Sequence, residues 1–217
     1  MTLSFNLHPT NHWTDEEGLG ARSGKLIAID GIDQSGKRTQ TRLLAEKIRA
    51  FGYQVLVWNF PDYKTALGRQ LRRYLAGRER FDFHAIHLLY AANKWERAST
   101  IARDISLGRV VIVNRYTPSN LAYGMAHGLS RDWLESLEKA LPRPDLVLLL
   151  DVSPKASFKR KTVLRDLHEE NISYLRKVRG IYLQLAKRYR WKVVDGERDP
   201  RAVSLELWSY VLPILRK

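Results

Sequence analysis

The chain has 217 residues and no cysteine, so its length suits one substantial α/β domain, while disulfides, thiolate metal sites and a cysteine nucleophile are excluded. It carries 37 Lys and Arg against 23 Asp and Glu, and the net charge of +14 favours anionic partners such as nucleotides or nucleic acids. Because no apolar run approaches the length of a membrane span and the N-terminus lacks a secretory pattern, we expect a cytoplasmic protein with no membrane segment.

Residues 1–24 show neither helical nor strand periodicity, and we expect them to form a poorly ordered N-terminal extension. The remaining residues, 25–217, alternate apolar runs with helical patterns and are predicted to form a single domain. The predicted strands cover residues 26–29, 54–58, 109–114, 145–151 and 191–195. The predicted helices cover residues 43–50, 65–76, 82–107, 130–140 and 169–189, with a short helix ending at Gly128 and a final helix opening at Asp199. This alternation predicts a parallel sheet covered on both faces, with ligands bound beyond the carboxyl ends of the strands.

The first strand and the first helix are joined by a glycine-bounded loop. Residues Gly31 to Lys37 fit the pattern G-x-x-x-x-G-K, whose glycines let backbone N–H groups wrap around a phosphate while the lysine adds a positive charge. The hydroxyl side chain that usually follows the lysine is missing, because Arg38 stands there and Thr39 comes one place later. The loop therefore predicts a phosphate donor bound at this edge of the sheet.

Three further features lie near the same edge. Arg115 follows the third strand and can form paired hydrogen bonds with a phosphate, or it is simply an exposed strand-end arginine. Tyr90 and Lys94 lie one helical turn apart and offer an aromatic face and a cation, although Tyr90 on its own would equally suit a core. The basic run from Lys159 to Arg165 is typical of a mobile lid over a transferring phosphoryl group, with a solvated helix face as the alternative.

Six motifs occur in one order along the chain. They are I-D-G-I-D-Q-S-G-K-R-T-Q at 29–40, F-P-D-Y at 60–63, H-L-L-Y-A-A-N-K-W-E at 87–96, N-R-Y-T-P-S-N-L-A-Y-G at 114–124, P-D-L-V-L-L-L-D-V at 144–152 and Y-L-R-K-V-R-x-x-Y at 174–182. With these motifs, residues 25 to about 212 resemble the thymidylate kinases of the nucleoside monophosphate kinase group. The resemblance implies a three-layer P-loop kinase fold with a five-stranded parallel sheet in the order 2-3-1-4-5 and a short lid at about 155–168. It also implies a homodimer and phosphoryl transfer from ATP, bound with Mg²⁺, to dTMP giving dTDP and ADP.

The resemblance also assigns roles to residues. It places the ATP phosphates on Gly31, Ile32, Asp33, Gln34, Ser35, Gly36, Lys37, Arg38 and Thr39. It places the acceptor nucleotide on Asp33, Phe60, Tyr90, Lys94, Arg115, Tyr116, Ser119, Asn120 and Tyr123. Within that set it implies that Asp33 takes the 3′-hydroxyl, Tyr90 stacks on thymine and Arg115 holds the acceptor phosphate. Lys94 stands where the family often has an arginine that reaches the base.

The catalytic cations implied are Lys37, Arg115 and a lid arginine, either Arg160 or Arg165, because the loop residue Gln34 is not basic. Thr39 is the candidate Mg²⁺ ligand, directly or through water.

The chain departs from the family pattern at three places. Arg38 replaces the hydroxyl residue that binds Mg²⁺, Asn114 replaces the aspartate before Arg115, and Tyr63 stands where related enzymes often have a phosphate-binding arginine, with Lys64 next to it. We hypothesise that Arg38 partly takes over the charge neutralisation that Mg²⁺ provides. The departures leave two alternatives open: a kinase of another pyrimidine monophosphate such as dUMP or UMP, and a catalytically weak P-loop paralogue that binds nucleotide or nucleic acid.

Overall fold

The computed structural model describes residues 23–160 and 172–216. The predicted N-terminal extension falls outside these residues except for Ser23 and Gly24, and so do the part of the predicted lid that follows Arg160 and the lid candidate Arg165. In the described part of the chain, no helix combines the length and the apolar character that crossing a membrane requires.

Five parallel strands form one sheet, in the spatial order β2-β3-β1-β4-β5. The strands are β1 (Lys25–Asp30), β2 (Val55–Asn59), β3 (Val110–Asn114), β4 (Leu146–Asp151) and β5 (Lys192–Asp195). Strand β1 pairs with β3 on one side and with β4 on the other, so it occupies the centre. The predicted strand order and direction are confirmed, and β1 and β3 are buried almost throughout, as a sheet covered on both faces requires.

Eight helices are described around the sheet. They are α1 (Lys37–Ala50), α2 (Ala66–Leu75), α3 (Phe83–Ser106), α4 (Thr117–Ala126), α5 (Arg131–Glu138), α6 (Pro154–Arg160), α7 (Ile172–Tyr189) and α8 (Pro200–Leu215). Several begin at the side chains expected to cap them: the Thr65 hydroxyl accepts from the Gly68 N–H, and the Asp199 carboxylate accepts from two N–H groups at the start of α8.

The alternation along β1 assigns each helix layer to one face of the sheet. Ile27 and Ile29 point to the face covered by α1 and α8 and pack with Leu44, Leu207 and their neighbours. Leu26 and Ala28 point to the opposite face, where Ile101 of α3 covers them. The fold is therefore three-layered, and the carboxyl ends of β1, β3 and β4 meet at one edge.

Candidate active site

The loop between β1 and α1 is tightly wrapped. Gly31 and Gly36 have φ of 143° and 95°, conformations that side chains other than glycine rarely adopt. A Cβ at Gly31 would lie only 2.5 Å from the Leu150 carbonyl oxygen. These two glycines therefore let the backbone form the N–H-rich concavity that an incoming phosphate needs, at the N-terminus of α1.

Lys37 is the first residue of α1, and its ammonium group folds back over the loop. Its Nζ donates to the carbonyl oxygens of Gly31 at 2.9 Å and Ile32 at 2.7 Å. The next two side chains, Arg38 and Thr39, are exposed on the first turn of α1. Of the three, Lys37 is thus the residue that faces the phosphate-binding concavity.

Arg160, at the end of α6, reaches the same loop from the other side. Its guanidinium donates to the Gln34 carbonyl at 3.1 Å and to the Gly196 carbonyl at 2.7 Å. The predicted lid cation is therefore positioned beside the phosphate loop. Its alternative, Arg165, lies outside the described residues.

A cavity of about 230 Å³ opens next to this loop. Its wall contains all but one of the residues to which the resemblance assigned the acceptor, together with five that it did not assign. The wall is formed by Asp33, Phe60, Pro61, Tyr63, Leu75, His87, Tyr90, Asn93, Lys94, Arg115, Ser119, Asn120 and Tyr123. The exception is Tyr116. It is fully buried, its ring packs on Phe60 and its hydroxyl donates to the Pro142 carbonyl, so the expectation that it lines the cavity is wrong.

An ion pair joins the cavity to the phosphate loop. The Arg115 guanidinium binds the Asp33 carboxylate, whose other oxygen accepts from the Tyr123 hydroxyl at 2.8 Å. Burial alone would lower the pKa of Arg115, but the neighbouring Asp33 charge holds it well above its usual value, so the guanidinium stays charged. Arg115 also has a positive φ of 55°, a conformation found at functional sites for residues other than glycine.

Lys94 forms the second buried ion pair in the wall. Its Nζ donates to Glu138 at 2.8 Å and to the Tyr90 carbonyl at 3.2 Å, and the two charged side chains are only 3% and 5% exposed. Asn120 also donates to the same Glu138 oxygen, at 2.9 Å. Lys94 therefore lines the cavity as a cation that is paired with Glu138, which the sequence did not indicate.

The departures noted in the sequence have structural counterparts. Asn114 accepts from the Thr41 hydroxyl at 2.8 Å and donates to Asn59 at 2.6 Å, so its amide ties α1 and β2 to β3.

Lys64 is exposed and does not line the cavity, whereas the guanidinium of Arg72 lies 4.8 Å from the centre of the Tyr63 ring. Arg72 thus places a cation against Tyr63, one of the residues in the cavity wall.

Sequence reasoning missed Asp30, the last residue of β1. Its carboxylate is fully buried and accepts from the Ser119 hydroxyl, the Tyr182 hydroxyl and the Tyr116 N–H. Burial raises the pKa of Asp30, although these hydrogen bonds and the charges of Lys37 and Arg115 oppose the rise. The position alone could have identified it, since Asp30 stands at the carboxyl end of the central strand, where the other site residues were sought.

The described residues contain no cluster of three or more acidic, histidine or cysteine side chains that could hold a metal ion. The candidate ligand Thr39 is exposed, and both oxygens of Asp33, the carboxylate in the phosphate loop, already accept hydrogen bonds. This donor set suits a Mg²⁺ ion that arrives with nucleotide phosphates and keeps most of its waters, and it does not suit a resident metal.

Known proteins resemble this chain over most of its length. The thymidylate kinase family model matches residues 29–207. The chain is 35% identical to the thymidylate kinase of Homo sapiens over 188 residues, which is 85% of this chain and 88% of the relative. It is 34% identical to that of Arabidopsis thaliana over 189 residues, 87% of this chain and 71% of the relative.

The chain belongs to the thymidylate kinase family. A solved structure of thymidylate kinase from Candida albicans superposes with a TM-score of 0.79 at 30% identity, covering 90% of this chain and 93% of that one. Membership in the thymidylate kinase family confirms the predicted fold and the enzyme class, an ATP-dependent dTMP kinase.

Proposed function

We propose that the cavity binds dTMP with its phosphate at Arg115 and its base against Tyr90, while the ATP phosphates occupy the loop from Gly31 to Lys37. One observation carries this proposal: Arg115, in the cavity wall, is bonded directly to Asp33 inside the phosphate loop. The two anion-binding ends therefore share a wall, and a phosphoryl group can pass between them without leaving the site.

In the proposed reaction, an oxygen of the dTMP phosphate attacks the γ-phosphorus of ATP. The bond between the γ-phosphorus and the β–γ bridging oxygen breaks, its electron pair stays on ADP, and dTDP forms. No protein nucleophile is needed, because the barrier is lowered by positioning and by charge stabilisation. Lys37 and Arg160 neutralise charge on the donor side, and Arg115 orients the attacking phosphate.

We propose that Mg²⁺ accompanies ATP and neutralises charge on its outer phosphates. Phosphate oxygens and water would supply most of its ligands, and Thr39 on the first turn of α1 would contribute directly or through water. The residues of the loop then orient the phosphates through backbone N–H groups and Lys37.

The proposed acceptor preference rests on the polar and aromatic side chains that line the cavity. The Tyr123 hydroxyl donates to the Asp33 carboxylate, which also binds Arg115, and we propose that the 3′-hydroxyl of a bound nucleotide contacts this carboxylate. Phe60 and Tyr90 both line the cavity and supply apolar area for the sugar and a single pyrimidine ring. The rival acceptors dUMP and UMP lack the thymine methyl group, and UMP adds a 2′-hydroxyl.

The decisive experiment mixes purified protein with ATP, Mg²⁺ and, in separate reactions, dTMP, dUMP, UMP and dCMP, and measures each diphosphate by chromatography. We expect dTDP to form with the highest kcat/KM, and Arg115→Ala to lower that value about 100-fold, since it removes a charged contact to the acceptor.

A higher kcat/KM for dUMP or UMP would assign another pyrimidine acceptor. Absence of every diphosphate, together with DNA or RNA binding that weakens steeply with salt, would instead support a nucleic-acid-binding paralogue, to which the +14 charge points.

We also propose a homodimer that uses α3. Leu88 and Trp95 are seven residues apart on this helix, so they share one face, and they are 48% and 43% exposed. Sedimentation equilibrium is expected to give twice the chain mass of 25.2 kDa, and a monomer at micromolar concentration would refute the dimer without affecting the proposed reaction.

A further inference from the structure

A row of hydrogen bonds connects the cavity wall to the first turn of α7, and the phosphoryl-transfer steps do not use it. It begins at His87, which is fully buried on α3 and lines the cavity. His87 Nδ1 lies 2.7 Å from Asn120 Oδ1, and His87 Nε2 lies 3.0 Å from Nδ1 of His127, which follows α4. His127 Nε2 then lies 2.8 Å from the Tyr174 hydroxyl. One continuous row of polar atoms thus joins three helices.

The protons of the two histidine rings can be assigned by starting from Glu138, the hydrogen-bond partner of Asn120. Asn120 Nδ2 donates to the Glu138 carboxylate, so the Asn120 oxygen is the atom that faces His87 and must accept. A neutral His87 therefore carries its proton on Nδ1 and accepts at Nε2. Because His87 Nε2 accepts, His127 Nδ1 must carry the proton that it donates to His87. A neutral His127 then accepts at Nε2 from the Tyr174 hydroxyl. Each donor of the row then meets an acceptor.

Two aromatic rings also pack on the ring of His127. Phe83 stacks on it with a centroid separation of 4.0 Å and an interplanar angle of 8°, and Tyr174 stacks at 5.1 Å and 19°. Stacking and hydrogen bonding thus both fix this ring, and they can be separated by substitution, because Phe83 contributes stacking to the ring while Tyr174 contributes both.

We infer that His87, His127 and Tyr174 are positioning residues that hold the Asn120 amide in the orientation required for acceptor binding. The inference rests on the proposed function, because it takes the cavity to be the acceptor site. If the Asn120 amide turned over, its oxygen would face the Glu138 carboxylate, and the Lys94–Glu138 pair would lose a donor inside a buried wall. The histidine pair prevents that turn by requiring an acceptor at the Asn120 oxygen.

The first test separates hydrogen bonding from stacking by steady-state kinetics. His127→Phe keeps an aromatic ring in contact with Phe83 and Tyr174 but leaves His87 Nε2 without a donor. We expect its KM for dTMP to rise about tenfold, the cost of one buried hydrogen bond, with kcat and the KM for ATP within about twofold of wild type. Tyr174→Phe removes only the last hydroxyl of the row, and we expect a rise of about threefold.

Phe83→Leu is the matched control, since it removes the stacked ring and keeps every hydrogen bond of the row. Its KM for dTMP is expected to stay at the wild-type value. An equal rise in Phe83→Leu and His127→Phe, or an unchanged KM for dTMP in both His127→Phe and Tyr174→Phe, would overturn the inference.

The second test needs neither substrate nor turnover. Long-range ¹H–¹⁵N spectra of the wild-type histidines read the tautomers directly, and we expect neutral rings with the proton on Nδ1 for both His87 and His127. A proton on Nε2 of either ring overturns the inference even if His127→Phe fails to fold. A wild-type protein that forms no dTDP would contradict the proposed function instead, and the spectra would still decide whether the row exists.

Discussion

The donor side of the site takes its binding groups from one short loop and the helix after it, with Arg160 added from the end of α6. The acceptor side takes them from several loops and helices that are distant in sequence. On the donor side, the cations of Lys37 and Arg160 rest on main-chain carbonyl oxygens. On the acceptor side, the cations of Arg115 and Lys94 rest on the carboxylates of Asp33 and Glu138.

The two sides of the site therefore recognise their ligands differently, the donor side mainly by charge and the acceptor side mainly by geometry. The carbonyl oxygens that these donor cations contact carry only partial charge, and the contacts hold both cations at the loop proposed to bind the phosphates of ATP, where charge builds up during transfer. The acceptor cations are already balanced, so that side selects by geometry more than by charge. Between the two acceptor pairs, Arg115 is 26% exposed and Lys94 only 3%, which gives the phosphate contact to Arg115 and a structural role to Lys94.

The largest effect should follow removal of the donor-side cation. Lys37→Met is expected to lower kcat about 1,000-fold, because a fixed positive charge at the transferring phosphoryl group is lost. Calorimetry should find dTMP binding unchanged. Arg38→Met, which removes the exposed neighbouring cation, is the control and should lower kcat by no more than about tenfold. If Lys37→Met also lowered the affinity for dTMP, the claim that Lys37 serves only the donor side would be contradicted.

The buried pair on the acceptor side should show strong coupling. Glu138→Gln leaves the Lys94 ammonium buried beside a neutral group and should lower the free energy of unfolding by about 3–5 kcal/mol. The double variant Lys94→Met/Glu138→Gln should recover most of that loss, because a neutral pair has no buried charge to solvate. Urea unfolding of wild type and the three variants measures this. Additive losses would mean that the two side chains are not paired in solution.

Asp30 gives a test in the pH dependence of stability. Burial raises the pKa of Asp30, so the folded protein holds this proton more tightly than the unfolded chain. Its contribution to the free energy of unfolding is therefore complete below the ordinary value of 3.8 and is lost as the pH rises through the folded-state pKa. Relative to Asp30→Asn, wild type should become progressively less stable as the pH rises above 4.

Asp82 supplies a control of opposite sign. Hydrogen bonds from His84 lower the pKa of Asp82, so its contribution is present above the ordinary value and is lost as the pH falls through the folded-state pKa. Unfolding curves of Asp82→Asn should diverge from wild type in the opposite direction to those of Asp30→Asn. Parallel curves for the two variants would contradict the opposite changes in the pKa of Asp30 and the pKa of Asp82.

The smallest expected effect concerns Arg38 and Mg²⁺. If its cation partly replaces the metal charge, Arg38→Ser should lose severalfold more activity at limiting Mg²⁺ than at saturating Mg²⁺. Its affinity for ATP in the presence of a chelator should also fall severalfold, measured by calorimetry. Identical Mg²⁺ titrations for wild type and Arg38→Ser would remove the hypothesis.

The phosphate loop could be predicted from the sequence because its parts are consecutive: a strand, six loop residues and a helix fix the geometry of Gly31 and Lys37 locally. Most of the acceptor wall could be named only through the family motifs. The partner of Lys94 could not, because Glu138 is 44 residues away and lies on α5. The expectation for Tyr116 failed for a different, local reason: the turn that follows Arg115 directs the Tyr116 ring into the core.

The central claim is that one phosphoryl group passes between the loop at Lys37 and the guanidinium of Arg115. A crystal structure with dTMP and a non-hydrolysable ATP analogue tests it most directly. We expect an oxygen of the dTMP phosphate about 3–3.5 Å from the γ-phosphorus, with Lys37 on the ATP side and Arg115 on the dTMP side. A dTMP phosphate bound away from Arg115, or an ATP γ-phosphate outside the glycine loop, would contradict the account.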